Sequence, residues 1–166
     1  MQIGKPHKCI NFCNQALSLS NKLNDLGIES FNFNTLAISY RRIGQIYKAI
    51  EMYEKALEID KKISNVIGGS GVLNNLGVAY RYLGSLTKST NYHEQAIAIQ
   101  QKIHDIRNEG ISLGTSSVTY RYLGQIQEAM LRSKKALNIA KNEKDRHWEA
   151  YHLAELGSIN LDLGEI

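Results

Sequence analysis

The sequence predicts an all-α protein, an α-solenoid of antiparallel helix pairs with about eight helices, and three observations carry that reading. First, the stretch NNLGVAYRYLG at 74–84 recurs every 40 residues, as NTLAISYRRIG at 34–44, GTSSVTYRYLG at 114–124 and AELGSINLDLG at 154–164. Self-similarity at one fixed period of this length marks a repeat array. Second, Gly44, Gly84, Gly124 and Gly164 hold one column and Tyr40, Tyr80 and Tyr120 another, with no insertion between copies. Third, the chain has a single proline, Pro6, and almost no two-residue apolar alternation, so helices should run nearly throughout. Each repeat can bury its apolar face only on its neighbours, which makes the core a strip along the stack.

The opening segment is already in register, because Gly4, Ala16 and Leu17 lie 40 residues before Gly44, Ala56 and Leu57. It predicts a second-type helix, B, over 6–23. Pro6 fits its first turn, where a missing N–H costs nothing, and Cys9, Cys13, Ala16 and Leu17 fall on one stripe. Asp25, Asn65, Asp105 and Asp145 then recur at the same period, and their side-chain oxygens suit the N-cap of each first-type helix, A. Glu29, Glu109 and Glu149 follow four residues later, adding negative charge near the positive end of the helix dipole. The A helices are expected at 26–43, 66–83, 106–123 and 146–162, closed by the glycine column in a left-handed turn. The B helices follow at 46–63, 86–103 and 126–142, with Ser85 as a cap for the middle one.

This makes one array over 1–166: an orphan B helix at 6–23, repeats 25–64, 65–104 and 105–144, and an orphan A helix at 145–164. Such ragged ends read as a piece of a longer protein, since terminal repeats normally carry polar capping faces. The stripes Leu153, Leu156 and Ile159 on one orphan helix and Cys13, Ala16 and Leu17 on the other would lack cover, which predicts head-to-tail self-association through the terminal helices.

With 166 residues, 43% hydrophobic and 22% charged, the composition is globular. No apolar run is long enough for a signal or a membrane span, so the expectation is a cytoplasmic protein with no membrane partner. A net charge of +4 tilts the partner towards acidity. Cys9 and Cys13, the only cysteines, have no further ligand nearby and read as small buried hydrophobes.

Within a repeat the pattern is Leu36-Ala37, Tyr40, Gly44, Ala49, Tyr53 and Ala56-Leu57, and then Leu76-Gly77, Tyr80, Gly84 and Ala96-Ile97. This resembles the tetratricopeptide repeat, with L-G-x2-Y in helix A and A-x3-F/Y followed by a later alanine in helix B. The 40-residue period is similar to the longer repeats of kinesin light chains and of the Leu-Gly-Asn-rich mitotic adaptors. The resemblance implies a right-handed superhelix and a ligand groove along the concave face of the A helices. Departures occur: Tyr53 becomes His93 and Ser133, Ala49 becomes Ser89, Leu76-Gly77 becomes Ser116-Ser117, and Asn160 stands in the tyrosine column. They predict looser packing in the third pair and the last helix. Ala49, Ala56, Ala96, Ala129 and Ala136 should be buried between A and B, and Tyr40, Tyr80 and Tyr120 should pack between the helices with the hydroxyl at an edge partner.

Signals for catalysis are missing. There is no phosphate-binding glycine loop, nucleophile elbow or zinc signature, and His93-Glu94 lacks a second histidine. The expectation is a non-enzyme without cofactor or metal. What remains is the groove that the resemblance implies: Asn34, Thr35, Ile38, Arg41 and Arg42 in the first pair, Asn74, Asn75, Val78, Arg81 and Tyr82 in the second, and Gly114, Thr115, Val118, Arg121 and Tyr122 in the third. Arg41, Arg81 and Arg121 form a column. Helices about 8–10 Å apart would offer one arginine to every third residue of an extended chain advancing about 3.3 Å per residue. Arginine grips carboxylates bidentately, and asparagines can hold a peptide backbone. The chain therefore reads as a protein-interaction scaffold for an extended or helical acidic peptide segment. The alternatives are single-stranded nucleic acid on the arginines and tyrosines, a sensor or regulatory module of a larger signalling protein, or arginines spent on structural salt bridges.

Overall fold

The computed structural model describes residues 4–164, and eight helices make up nearly all of that span: α1 Gly4–Leu23, α2 Leu26–Arg42, α3 Ile46–Lys62, α4 Val66–Tyr82, α5 Leu86–Lys102, α6 Ile106–Tyr122, α7 Ile126–Asn142 and α8 Arg146–Leu163. Even-numbered helices are A and odd-numbered ones B. Helix α1 starts at Gly4, two residues before the expected Pro6; the other boundaries fall within one residue of expectation. Among the described residues no helix is long and apolar enough to cross a membrane.

The period is kept by two turns per repeat. At each A helix start the capping side chain accepts from the backbone three residues on: Asp25 from Ile28, Asn65 from Gly68, Asp105 from Asn108 and Asp145 from Trp148, at 3.0–3.3 Å. At each A helix end the glycine column takes positive φ, +79° at Gly44 and +72° to +73° at Gly84, Gly124 and Gly164. Two features differ from the sequence reading. Ser85 stands at the N-cap of α5 but its side chain makes no capping bond; its ψ of 66° matches Gln45 and Gln125, which do not cap either, whereas the capping residues have ψ of 72° to 92°. The B-to-A turns also use the left-handed region, at Asn24, Ser64, His104 and Lys144 with φ of 53° to 58°. Asn24 and His104 are of residue types enriched in that region; Ser64 and Lys144 are not.

Each helix packs on its chain neighbours, and each A helix also packs closely on the next A helix, whereas the backbones of successive B helices stand farther apart, α5 and α7 meeting through the Arg132–Glu94 ion pair at 2.8 Å. The A helices thus form the tight inner side of the stack. Ala49, Ala56, Ala96, Ala129 and Ala136 are fully buried, as expected. One cluster joins Ala37, Ala49, Tyr53, Ala56, Val72, Leu76 and Ala79 across α2, α3 and α4, and the half-buried Tyr40 and Tyr80 pack on it. Tyr80 stacks on Tyr92 at 5.3 Å, and Tyr120 donates to Glu94 at 2.9 Å, the edge contact expected of this column.

The third pair is not loose. Ser116, Ser117, Thr119 and Ser133 are fully buried and hydrogen-bonded: Ser117 donates to Ala129 O at 3.0 Å, Ser133 to His152 O at 3.3 Å, and Thr119 shares a bond with Ser89 at 3.0 Å. Polar contacts replace the apolar ones that the serines removed. Histidines fill the space where residues shrink. A β-carbon on Gly77 would stand 2.7 Å from the His93 ring, and one on Gly114 would collide with the His152 ring. His152, from α8, thereby covers the site that Tyr53 and His93 occupy in the earlier repeats and Ser133 leaves small.

The terminal helices are partly covered, which corrects the two bare stripes. Ile159 is fully buried and Cys13 nearly so, because α8 packs on α7 and α1 on α2; Leu156, Ala16 and Leu17 are half-buried, and only Leu153 of the six is exposed. The outward residues are instead Phe12, Leu19 and Leu23 on α1 and Leu153 and Leu161 on α8. Cys9 Sγ and Cys13 Sγ are 3.9 Å apart and unjoined, and burial pushes the Cys13 thiol up to about 11.

Replacing Ala96 by leucine inserts volume into a sealed contact and should lower stability by about 1–3 kcal/mol in urea denaturation; an unchanged midpoint would place Ala96 outside the seam. Burial, with Arg81 and Arg132 adding to it, holds His93 down to about 3, and burial holds His152 down to about 4 against the opposing pull of Asp145. Both stay neutral when folded and protonate near pH 6.5 when unfolded. Stability is therefore full above pH 6.5 and declines as the pH falls, by at most about 1.4 kcal/mol per pH unit for each histidine. His152→Leu should remove about half of that slope between pH 6.5 and 5, read from denaturation midpoints in a pH series.

Candidate functional site: the concave face of the A helices

Residues four and seven apart on a helix share one face, so positions 34, 38 and 41 of α2, and their equivalents on α4 and α6, line the inner side of the stack. Val78 and Val118 are buried and, with the half-buried Ile38, make its apolar floor. The polar residues above them are largely tied to one another. Asn75 Nδ2 donates to Asn34 Oδ1 at 3.1 Å, from α4 to α2. Asn74 is buried, and its Oδ1 accepts from Thr115 at 2.7 Å and bonds His93 Nδ1 at 2.8 Å. An oxygen can only accept, so His93 donates from Nδ1. Asn74 therefore joins three helices through its side-chain oxygen. Gly114 is buried under His152. Thr35 is half-buried and donates to Phe31 O at 2.9 Å.

The arginine column is real and interleaved with tyrosines. The Arg41 guanidinium carbon lies 5.8 Å from the Tyr82 ring centre; that of Arg81 lies 5.3 Å from Tyr82 and 5.9 Å from Tyr122; that of Arg121 lies 5.4 Å from Tyr122. The five side chains form one ladder across α2, α4 and α6, each arginine within cation–π reach of a ring. Tyr82 and Tyr122 remain 59% and 62% exposed. Arg42 is exposed at the end of α2 and takes no part in the ladder.

The three arginines are not equivalent. Arg121 donates through Nε to Glu155 at 2.9 Å and through Nη1 to Asp162 at 3.1 Å, both on α8. Structural salt bridging, the alternative reading of the column, thus holds for Arg121. Arg41 and Arg81 pair with no carboxylate among the described residues, and the Nε of each is buried without a hydrogen bond. Tyr151 also belongs here: burial raises its phenol, with Arg81, Glu155, Tyr82 and Arg121 close enough to contribute.

Glu155, Asp162 and Tyr151 were missed by sequence reasoning, though a signal existed. Glu155 stands in the column of Thr35, Asn75 and Thr115, and Asp162 in that of Arg42, Tyr82 and Tyr122, so each is an acid in a column otherwise neutral or basic. No group of three or more histidine, cysteine or acidic side chains among the described residues is placed to hold a metal.

Among solved structures, BtubC (BKLC) from P. vanneervenii matches 98% of this chain and 68% of its own, at 21% identity and a TM-score of 0.82. A Podosopora anserina protein with nearly identical TPR-like repeats of the kinesin light chain kind matches over 99% of this chain and 82% of its own, at 21% identity and a TM-score of 0.74. A Signal Transduction ATPase with Numerous Domains protein from Pyrococcus horikoshii, which has a tetratricopeptide repeat sensor, matches over 97% of this chain and 25% of its own, at 19% identity and a TM-score of 0.77. The search of curated proteins finds no match. Sequence profiles described as Tetratricopeptide repeat match residues 33–63 and 70–142, together more than half of the chain. Their agreement with the eight-helix solenoid leads to one conclusion: the chain belongs to the tetratricopeptide-repeat family.

Proposed function

We propose that the chain is a non-catalytic scaffold whose concave face takes an acidic segment of a partner protein, held by Arg41 and Arg81. Tetratricopeptide repeats generally mediate contacts between proteins. The observation that carries the finer reading is the contrast within the arginine column: Arg121 is satisfied by Glu155 and Asp162, while Arg41 and Arg81 carry the same tyrosine neighbours and no carboxylate. A half-buried guanidinium that meets no carboxylate among the described residues gains charge-assisted hydrogen bonds from an acidic ligand. Glu155 and Asp162 are seven residues apart on α8, two turns of one helix face. They illustrate the form of ligand the free arginines suit: a helix with acids at that spacing, or an extended strand with acids at every third position. Ile38, Val78 and the exposed rings of Tyr82 and Tyr122 would receive its apolar residues, with Asn34, Asn75, Thr115 and Val118 shaping the floor.

The likeness to the Pyrococcus horikoshii structure supports the same groove working as a sensor module of a longer protein. Nucleic acid on the ladder is the competing outcome.

Two measurements check this. In fluorescence titration, Arg81→Ala should weaken binding of a glutamate-rich helical peptide about tenfold or more, with the peptide preferred over single-stranded RNA at two salt concentrations. Preference for RNA, with a steep salt slope, would sink the proposal. In urea denaturation, Arg121→Ala should lower stability by about 1–3 kcal/mol, because it strands Glu155, whereas Arg41→Ala should lower it by less than about 1 kcal/mol. Equal losses would mean that all three arginines serve the fold.

A further inference from the structure

Asp60, near the end of α3, is 2% exposed. Its Oδ1 accepts from Ser30 at 2.7 Å and from Asn65 Nδ2 at 2.9 Å, while Oδ2 accepts no hydrogen bond among the described residues. No basic side chain among those residues pairs with it. A buried carboxylate without a cation is unfavourable, and buried charges are normally paired. The repeat does not require an acid here, since the same column holds Ser20, Gln100 and Ala140, all buried as well.

Two further departures from the repeat meet at the same place. Where the other A helices carry Ile28, Asn108 and Trp148, α4 has Gly68; where they carry Glu29, Glu109 and Glu149, it has Gly69. In the following repeat, Gln101 donates to Glu109 at 2.8 Å across this position. The equivalents here are Lys61 and Gly69, which have no such bond. Losing those side chains leaves a cleft of about 310 Å³ between α3 and α5 over the start of α4. Asp60 lines it together with Leu57, Val66, Leu73 and Ile99; Lys61 also lines it but is not paired with Asp60, and Oδ2 lies 3.0 Å from where a β-carbon on Gly68 would be. The cleft shares no residue with the arginine–tyrosine ladder. A largely apolar recess of a few hundred cubic ångströms with a few polar groups at its edge is the usual form of a small ligand site.

We propose that this cleft binds an alkylammonium group, its aliphatic stem against Leu57, Val66, Leu73 and Ile99 and its ammonium on the Asp60 carboxylate. Two sources present that chemistry: a free aliphatic amine, and the lysine side chain of a protein. The recess supplies the negative charge and the apolar wall together, and an alcohol or a carboxylate of equal length would satisfy only one of them.

The test is an amide NMR titration of the protein with n-pentylamine, with 1-pentanol as control. Shifts centred on Gly68, Gly69 and Asn65 should saturate with the amine and not with the alcohol, and Kd should rise about tenfold or more in Asp60→Asn. Gly69→Gln leaves the carboxylate intact and fills the mouth; a β-carbon there meets only ordinary contacts at 3.7 Å, so the fold should survive while binding is lost. Equal response to 1-pentanol, binding unchanged in Asp60→Asn, or binding retained in Gly69→Gln would overturn the proposal. Cadaverine and Nα-acetyl-lysine methylamide then separate the sources, the tighter of the two naming the free amine or the protein side chain.

Discussion

Everything in this molecule depends on how closely each A helix approaches its B helix. The seam between them is made of residues with almost no side chain: Ala37, Ala49, Ala56, Ala79, Ala96, Ala129 and Ala136 have no exposed surface. Helices separated by such residues sit near the close end of the usual interaxial range, and the tyrosine, histidine or serine at 53, 93 and 133 must then fit a space fixed by its neighbours. Gly77 exists because His93 is opposite it, and Gly114 because His152 is. Volume is conserved locally even where residue type is not, as close packing requires.

That conservation of volume decides what the sequence could disclose. A glycine that needs positive φ and an aspartate that caps a helix act through their own backbone, so the period, the eight helices and the alanine seam were all legible in the columns. The middle B helix start was misread because Ser85 has a capping residue type at the N-cap position but makes no capping bond. The third pair was misread for a different reason: a serine looks like lost packing until its hydrogen-bond partner is known, and Ser117 and Ser133 find theirs on other helices.

The site shows the same division. The arginine column and its tyrosines were visible as a repeat, yet the sequence could not say which arginines are free, because that depends on what the next A helix brings. Helix α8 brings Glu155 and Asp162 to Arg121, whereas α4 brings the Tyr82 ring to Arg41. Asn74 read as a peptide-binding residue, and the fold also makes it a junction of α4, α5 and α6, since it meets His93 and Thr115 at once. Asp60 was overlooked altogether. It is a single departure in a column, and only the fold brings it beside Gly68 and Gly69.

The one-sided contact between like helices has a mechanical consequence. The backbones of successive A helices come close and those of B helices do not, with the Arg132–Glu94 ion pair tying α7 to α5, so the stack behaves as a strip bonded along its inner edge and largely slit along its outer edge. Bending that opens or closes the outer slits breaks few contacts, whereas stretching the inner edge must break helix packing, the Asn75–Asn34 bond and the arginine–tyrosine ladder together. The soft deformation is therefore a change of curvature about the inner edge, and it alters the splay of the B helices more than the spacing of the arginines. A ligand on the inner face finds its charged rungs already set at fixed intervals, while anything wedged between two B helices acts at the long end of the lever and changes the radius of the whole arc.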